Sequence, residues 1–350
     1  MSKYISILFF LLFSIYSFSQ NQLKIIDNNI KAKLKKFPSV GIVIGIYKDS
    51  KTYYFTYENQ LVSTKAKMDS TTIFEIGSAT KTFTALLLAQ EIAKGNIKQF
   101  DFVDKYLNKK LKLNYNIKNK IFITDLATHQ SGLPNLSTDK YFSDLMEKDS
   151  RNPFRFVDEK YLFDVLKTTD SLNNFRQYQY NNFAFSLLGN IIEHNSKLKF
   201  EDLIKTQILI PLQMNSTSFE RFENKNNAAL HNQQGIIQIP MILNKANAAG
   251  GLKSNAVDLI KYLKAHLNNN LAIIPASIIE RTYYEDTNKK MGLGWEIEDD
   301  FFQKDGDTFG NSSLIRYSHK NNVGIVILSN HQNGQLVRDL MTEVYDVIKK

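Results

Sequence analysis

A chain of 350 residues, 43% hydrophobic and 23% charged, is large enough to bury a substantial core, and no Pro/Gly/Ser-rich stretch marks a disordered linker. It contains no cysteine, which excludes disulfides, thiolate metal sites, a cysteine nucleophile and a lipid-bearing cysteine. The formal charge is +9, but the lysines are spread along the chain in local clusters that read as solvated faces, so nucleic-acid binding is not expected.

The first residues, MSKYISILFFLLFSIYSFSQ, set a lysine before an apolar run at residues 5–16, followed by Ser17-Phe18-Ser19. The run is shorter than the ~20 residues a membrane span needs. It reads as a secretory signal, residues 1–19, with an exported chain, periplasmic or secreted, opening at Gln20. Residues 22–37 then carry Leu23, Ile26, Ile30 and Leu34 at helical spacing. VGIVIGIYK (40–48) and KTYYFTYEN (51–59) are β-rich runs joined at Asp49-Ser50, which predicts a hairpin.

The middle third reads as helical over 80–94, 124–129, 182–195 and 200–209. The last third predicts a helix at 255–267, strands at 292–297, 312–318 and 323–329, and a closing helix at 336–348. Strands at both ends with helices between predict an α+β fold: one antiparallel sheet flanked by helices from both termini, with an inserted, mostly helical lobe. The expected division is a single domain over 20–350, its α/β lobe formed by about 20–77 and 235–350 and its helical lobe by about 78–234. A cleft between such lobes is a favoured place for a site.

Several chemistries lack their signatures. No Gly-x-Gly-x-x-Gly follows a strand, no phosphate loop is present, and no Gly-x-Ser-x-Gly elbow appears. The six histidines (129, 194, 231, 266, 319, 331) form no His-x3-His pair, so neither a metal nor a cofactor is expected. Paired carboxylates for glycosidic chemistry have no readable spacing.

What does stand out is EIGSATKTFTALLLAQEIAKG (75–95), in which Ser78 precedes Lys81 by three residues and opens a long apolar helix. Serine there is a common N-cap. It is also placed to be a nucleophile: residues i and i+3 share a face, the first helical turn offers unpaired N–H groups, and burial lowers the pKa of a neighbouring lysine. Ser-x-x-Lys recurs at Ser137 and Ser196, but only Ser78 joins a β-like run to an apolar helix.

Two further stretches follow in order: Tyr180-Asn181-Asn182 leading into a helix, and Lys304-Asp305-Gly306 just before two strands. The sequence Ser-x-x-Lys, Tyr-x-Asn, Lys-x-Gly resembles the serine β-lactamase and penicillin-binding protein superfamily, above all class C β-lactamases and D-alanyl-D-alanine carboxypeptidase-like hydrolases. LATHQSGLP (126–134), PLQMNSTSF (211–219), AAGGLKSNAVDLIKYL (248–263) and MGLGW (291–295) extend the resemblance over most of the chain. It implies a β-lactamase/transpeptidase-like fold and a covalent acyl-enzyme at Ser78.

By the same resemblance, Lys81 shares the Ser78 proton, and Tyr180 is a general base and acid with a pKa lowered by Lys81 and Lys304. Asn182 holds Lys81 and the substrate amide; Lys304 supplies positive charge, Gly306 allows close backbone approach, and the N–H of Asp307 completes an oxyanion hole with that of Ser78. One residue departs from the pattern: Asp305 stands where the best β-lactam hydrolases carry threonine, and a carboxylate facing the cleft would repel an anionic substrate. The expected partners are small molecules or peptides (β-lactams, D-amino-acid peptides or esters), with the protein acting as a monomer. An esterase or D-aminopeptidase on the same scaffold, and a non-catalytic sensor that acylates without turning over, are the alternatives.

Overall fold

In IVIGIYK, Ile42, Ile44 and Ile46 project to one face of an extended strand and Val43 and Tyr47 to the other. That alternation organises the molecule. The computed structural model describes residues 20–349 except 38–39, 58–66, 108–110, 137–139, 224, 269 and 271. The expected signal at 1–19, Ser137 of one stray Ser-x-x-Lys, and part of the KTYYFTYEN run lie outside the described residues.

Helix α1 (20–34) precedes strands β1 (Ile42–Lys48) and β2 (Lys51–Tyr57), then short β3 (Phe74–Glu75). The helices α2 (Thr80–Ala93), α3 (Ile123–Ala127), α4 (Lys140–Lys148), α5 (Glu159–Thr168), α6 (Asn182–Ser196), α7 (Phe200–Ile204) and α8 (Asn247–Gly250) follow. Next come β4 (Lys253–Ser254), α9 (Ala256–Leu267) and α10 (Ala276–Ile279). The chain closes with β5 (Tyr284–Glu285), β6 (Lys290–Met291), β7 (Glu296–Ile297), β8 (Phe302–Asp307), β9 (Ser312–Ser318), β10 (Val323–Ser329) and α11 (Gly334–Ile348). Among the described residues, no helix is long and apolar enough to cross a membrane.

The eight-stranded sheet runs β2-β1-β10-β9-β8-β7-β6-β5, antiparallel throughout. It therefore joins strands from both ends of the chain, as the α+β reading expects. The β1–β2 hairpin turns at Asp49 and Ser50, both with positive φ (47° and 66°), the geometry of a two-residue turn that matches strand twist.

One sheet face, through Ile42, Ile44, Ile46, Leu314, Ile325 and Ile327, packs on α1 and α11. The other, through Val43, Ile315, Tyr317, Val326 and Leu328, joins the larger core with α9 and the helical middle of the chain. Ile26 and Ile30 of α1 are fully buried against the first face. Ile30→Ala is expected to cost about 2–5 kcal/mol, read as a lower urea midpoint with an unchanged slope; an unshifted midpoint would mean that α1 is not docked.

Two departures from the sequence reading bear on the site. The segment FQKDGD (302–307) was not expected as a strand, because Asp, Gly and Lys are poor strand formers, yet it pairs residue for residue with β9 from Phe302↔Tyr317 to Asp307↔Ser312. And Ser78, read as opening α2, occupies a single 3₁₀ turn, Gly77–Ala79, ahead of the helix, which begins at Thr80 as read.

Candidate active site

Helix α2 is buried on all sides from Thr80 to Glu91, the signature of a helix running through a core. Its entry is set by Gly77, whose φ is +50°, a conformation favoured by glycine; a Cβ there would lie 2.7 Å from the carbonyl oxygen of Asp307. The tight turn brings Ser78 against the end of β8. Gly306 is the reciprocal requirement: a Cβ on it would stand 2.1 Å from Ile76 O and 2.7 Å from Ser78 N. The two glycines let the Ser78 turn and the strand touch backbone to backbone.

The Ser78 hydroxyl does not act as a helix cap. Its Oγ shares a hydrogen bond with the Tyr180 hydroxyl and accepts another from Lys81 Nζ at 3.0 Å. Lys81 also donates to Asn182 Oδ1 (2.7 Å) and to the Ala249 carbonyl at the end of α8 (2.6 Å). It is fully buried. That burial, reinforced by the Lys304 charge and opposed by Asp305, holds its pKa well below the ordinary lysine value. With all three bonds donated Nζ is an ammonium; on losing a proton it keeps two donors and turns a lone pair to the Ser78 hydroxyl.

Tyr180 enters from the segment before α6. Lys81 Nζ and Lys304 Nζ lie 4.9 and 5.1 Å from its ring centre. The sequence reading expected these two cations to lower its pKa. Instead the phenol is pushed up: burial dominates, Lys304 and the Ser78 hydrogen bond offset part of it, and Asp305 and Glu296 add to it. Asn182, for which a cap was the plain alternative, is the first residue of α6; the cap is Asn181, whose side chain accepts the Ala184 N–H at 2.8 Å.

Strand alternation sorts the third motif. Lys304 lies opposite Ile315, on the face of the larger core, and Asp305 lies opposite Leu314, on the face of α1 and α11. Asp305 is bonded by Arg338 Nη1 of α11 (2.8 Å) and by Lys304 Nζ (3.2 Å). It is therefore a tied carboxylate, and its effect on the cleft is to neutralise Lys304. Lys304 is 2% exposed and also meets Glu296 Oε1 at 3.4 Å. Burial alone would lower its pKa, but Asp305 and Glu296, with Tyr180 and Tyr178, hold it well above the ordinary value.

The amide of Asp307 points into the cleft by the logic of the ladder. Thr308 N–H donates to Asn311 O at 2.9 Å, so in the alternating antiparallel pattern Thr308 and Gly306 direct their amides at β9 and Asp307 directs its own at the opposite edge. On that edge β7 pairs only with Phe302 and Gln303, and the Ser78 turn stands beside Asp307. A pocket there is lined by Ser78, Asn182 and Asp307 on its polar side.

Three supporting groups were not singled out from sequence. His129, 1% exposed, accepts the Asn181 N–H on Nδ1 (3.1 Å), accepts the Gln179 N–H on its carbonyl (2.8 Å), and packs 4.5 Å from the Tyr180 ring. Burial and the nearby lysines keep it neutral, its pKa well below the ordinary value. Asn135 donates to Tyr180 O (2.8 Å) and accepts the Asn182 N–H (3.1 Å). With the Ala249 carbonyl they fix the second motif and Lys81; the signal for them was the stretch THQSGLPN and the AAGG run, which announced position but not role. Trp295 is fully buried beside Tyr262 and Tyr317 and is core. Ser196 of the other stray serine–lysine pair ends α6, at the opposite end of that helix from Asn182. No group of three His, Asp or Glu that could hold a metal occurs among the described residues.

The comparisons with known proteins agree on one lineage. The family model described as Beta-lactamase matches residues 26–346. Protein flp of Staphylococcus aureus is 28% identical over 342 residues, 91% of this chain and 66% of that protein, so the chain spans just under two thirds of that relative's length. A Beta-lactamase of Escherichia coli K12 is 26% identical over 298 residues, 79% of this chain and 70% of its own. Among solved structures, the octameric penicillin-binding protein homologue from Pyrococcus abyssi is similar with a TM-score of 0.78 at 26% identity, over 92% of this chain and 76% of that one.

Proposed function

This chain belongs to the Beta-lactamase family, and from that premise we propose that it is an exported serine acyl hydrolase, acting as a monomer through a covalent acyl-enzyme at Ser78. The observation that carries the reading is the Ser78 hydroxyl held between Lys81 and Tyr180. The leader-like residues 1–19 support export, and because every group above comes from one chain, a monomer would carry a complete site.

In this reading Lys81, whose burial eases the loss of its own proton, takes the Ser78 proton on the freed lone pair as the oxygen attacks a carbonyl carbon. The negative charge then forming on the carbonyl oxygen meets the N–H groups of Ser78 and Asp307; one such donor is typically worth about 10²–10³ in rate. Tyr180, held neutral by burial, gives its proton to the leaving group and is reprotonated from Lys81. Water releases the acyl group with the same residues moving the proton in reverse order. Asn182 and Lys304 hold the lysine and the phenol in place.

The leading substrates are β-lactams and D-alanyl-type peptides, with the class C arrangement of motifs. An esterase or D-aminopeptidase reading is favoured by one observation, the pairing of Asp305 with both Lys304 and Arg338, which leaves less positive charge for a substrate carboxylate. The test is parallel incubation with nitrocefin, a D-Ala-D-Ala peptide and a short-chain p-nitrophenyl ester, followed by mass mapping of the trapped adduct. Steady turnover of at least one, with the adduct on the peptide containing Ser78, is expected. A single burst without turnover would identify an acylated sensor, and no adduct on Ser78 with any of the three would overturn the proposal.

A further inference from the structure

Besides its polar groups, the Ser78 pocket is lined by the apolar residues Leu136, Phe154, Met241, Leu243, Ala246 and Ala249. Met241 and Leu243 come from a segment, QIPMIL (238–243), that belongs to neither sheet. Its last two side chains turn to opposite sides: Leu243 is 7% exposed, whereas Ile242 is 56% exposed.

Its first residue is bonded to backbone, Gln238 N–H donating to Leu230 O at 2.8 Å, but from Pro240 to Ile242 its backbone is bonded on both edges by side chains. On one edge the Met241 N–H donates to Glu75 Oε1 at 2.8 Å. On the other, Asn152 Oδ1 accepts the Ile242 N–H at 2.8 Å and Asn152 Nδ2 donates to Pro240 O at 3.0 Å. One amide thus imitates a neighbouring strand. Glu75 and Asn152 are themselves 8% and 4% exposed. Glu75 is fixed by its own N–H to Asn311 Oδ1 (2.9 Å) and stands three residues before Ser78, on β3. The wall of the cleft is therefore tied to the strand that delivers the nucleophile.

We infer that segment 238–243 is a selecting wall that takes the apolar acyl part of the substrate, and that Glu75 and Asn152 are positioning residues that set its distance from Ser78. The occupant is fixed by continuity: an acyl group bonded to Ser78 Oγ enters a pocket whose lining includes Met241, Leu243, Leu136 and Phe154. The inference rests on the reading of Ser78 as the acylated residue, and it goes beyond that reading in naming an apolar acyl group and the two clamps.

The experiment is a p-nitrophenyl ester series from acetyl to octanoyl on the full chain. The wild type should gain about fourfold in kcat/KM for each methylene that the wall buries, mainly through KM, because the contact exists before and during reaction. Glu75→Leu and Asn152→Leu remove the acceptors and should lower the ratio of long-chain to acetyl kcat/KM by about tenfold. Glu75→Gln keeps an acceptor for the Met241 N–H and should restore the ratio, which a purely structural role for the charge would not do. Should the leucine variants fail to fold, an alkyl fluorophosphonate bearing a terminal diazirine, reacted with the wild type and irradiated, should crosslink to the peptides containing Phe154 or Met241. A flat chain-length profile in the wild type, an unchanged ratio in both leucine variants, or crosslinks elsewhere would overturn the inference. If neither the acetyl ester nor the fluorophosphonate modifies Ser78, the acyl-enzyme reading itself has failed and the wall falls with it.

Discussion

Ser78→Ala should lower kcat/KM by about 10⁴-fold or more on whichever substrate the wild type turns over best. Alanine removes the only atom in the site that is bonded at once to the Tyr180 hydroxyl and to Lys81 Nζ, and nothing else among the described residues presents a hydroxyl to both. Lys81→Ala alone should cost about 10²–10⁴-fold through lost proton transfer. The double variant Ser78→Ala/Lys81→Ala should be no slower than Ser78→Ala, because groups that act as one unit do not contribute separately. Steady-state kinetics on the three variants, each checked for an unchanged melting temperature, decides the matter. Ser78→Ala retaining a tenth of wild-type activity would remove the serine from the chemistry.

The same geometry explains why lysine is tolerated in a fully buried position. An ammonium ion without compensation there is costly, and the protein answers with three oxygen partners, Ser78 Oγ, Asn182 Oδ1 and Ala249 O. Those acceptors orient Nζ without supplying a full negative charge, so the amine is held in place while its proton remains easy to lose. Lys304 is the contrast: also buried, but faced by the carboxylates of Asp305 and Glu296, it stays charged. Two lysines in one cleft are driven apart in proton affinity by what surrounds them, and that separation assigns their parts.

Much of the frame could be read from the chain. The β1–β2 hairpin is written in two β-rich runs around Asp49-Ser50, and α2 in the apolar residues Phe83, Leu86 and Leu87, because those elements are shaped by burial in the core. Strand β8 was not legible, since its sequence answers to the site and not to a core: Lys304 and Gly306 serve the cleft while Asp305 meets α11. Helices α4 and α5 were missed as well, being short and carrying many charges between their apolar positions. Within the site, motif order pointed to Ser78, Lys81, Tyr180 and Lys304, which do lie together. The sign of the Tyr180 shift was not available in the same way, because it depends on how completely a phenol is enclosed, and its neighbours His129, Ser78 and Lys304 come from distant segments.

Lys304→Gln tests the electrostatic half of this account. In the wild type the Lys304 charge lowers the proton affinity of both Lys81 and Tyr180. Removing it, with Asp305 and Glu296 left in place, should raise both. The acid limb of the kcat/KM profile, set by the pH below which Lys81 is protonated and cannot accept the Ser78 proton, should therefore move upward. A neighbouring charge typically shifts a buried group by on the order of one to two pH units, so at a fixed pH on that limb the rate should fall by about tenfold or more. Lys304→Arg keeps the charge and should keep the limb where it was, which separates the electrostatic effect from any loss of packing. A limb that stays in place in Lys304→Gln, or moves to lower pH, would show that burial alone sets the Lys81 proton affinity and that Lys304 serves only to anchor Asp305 and Glu296.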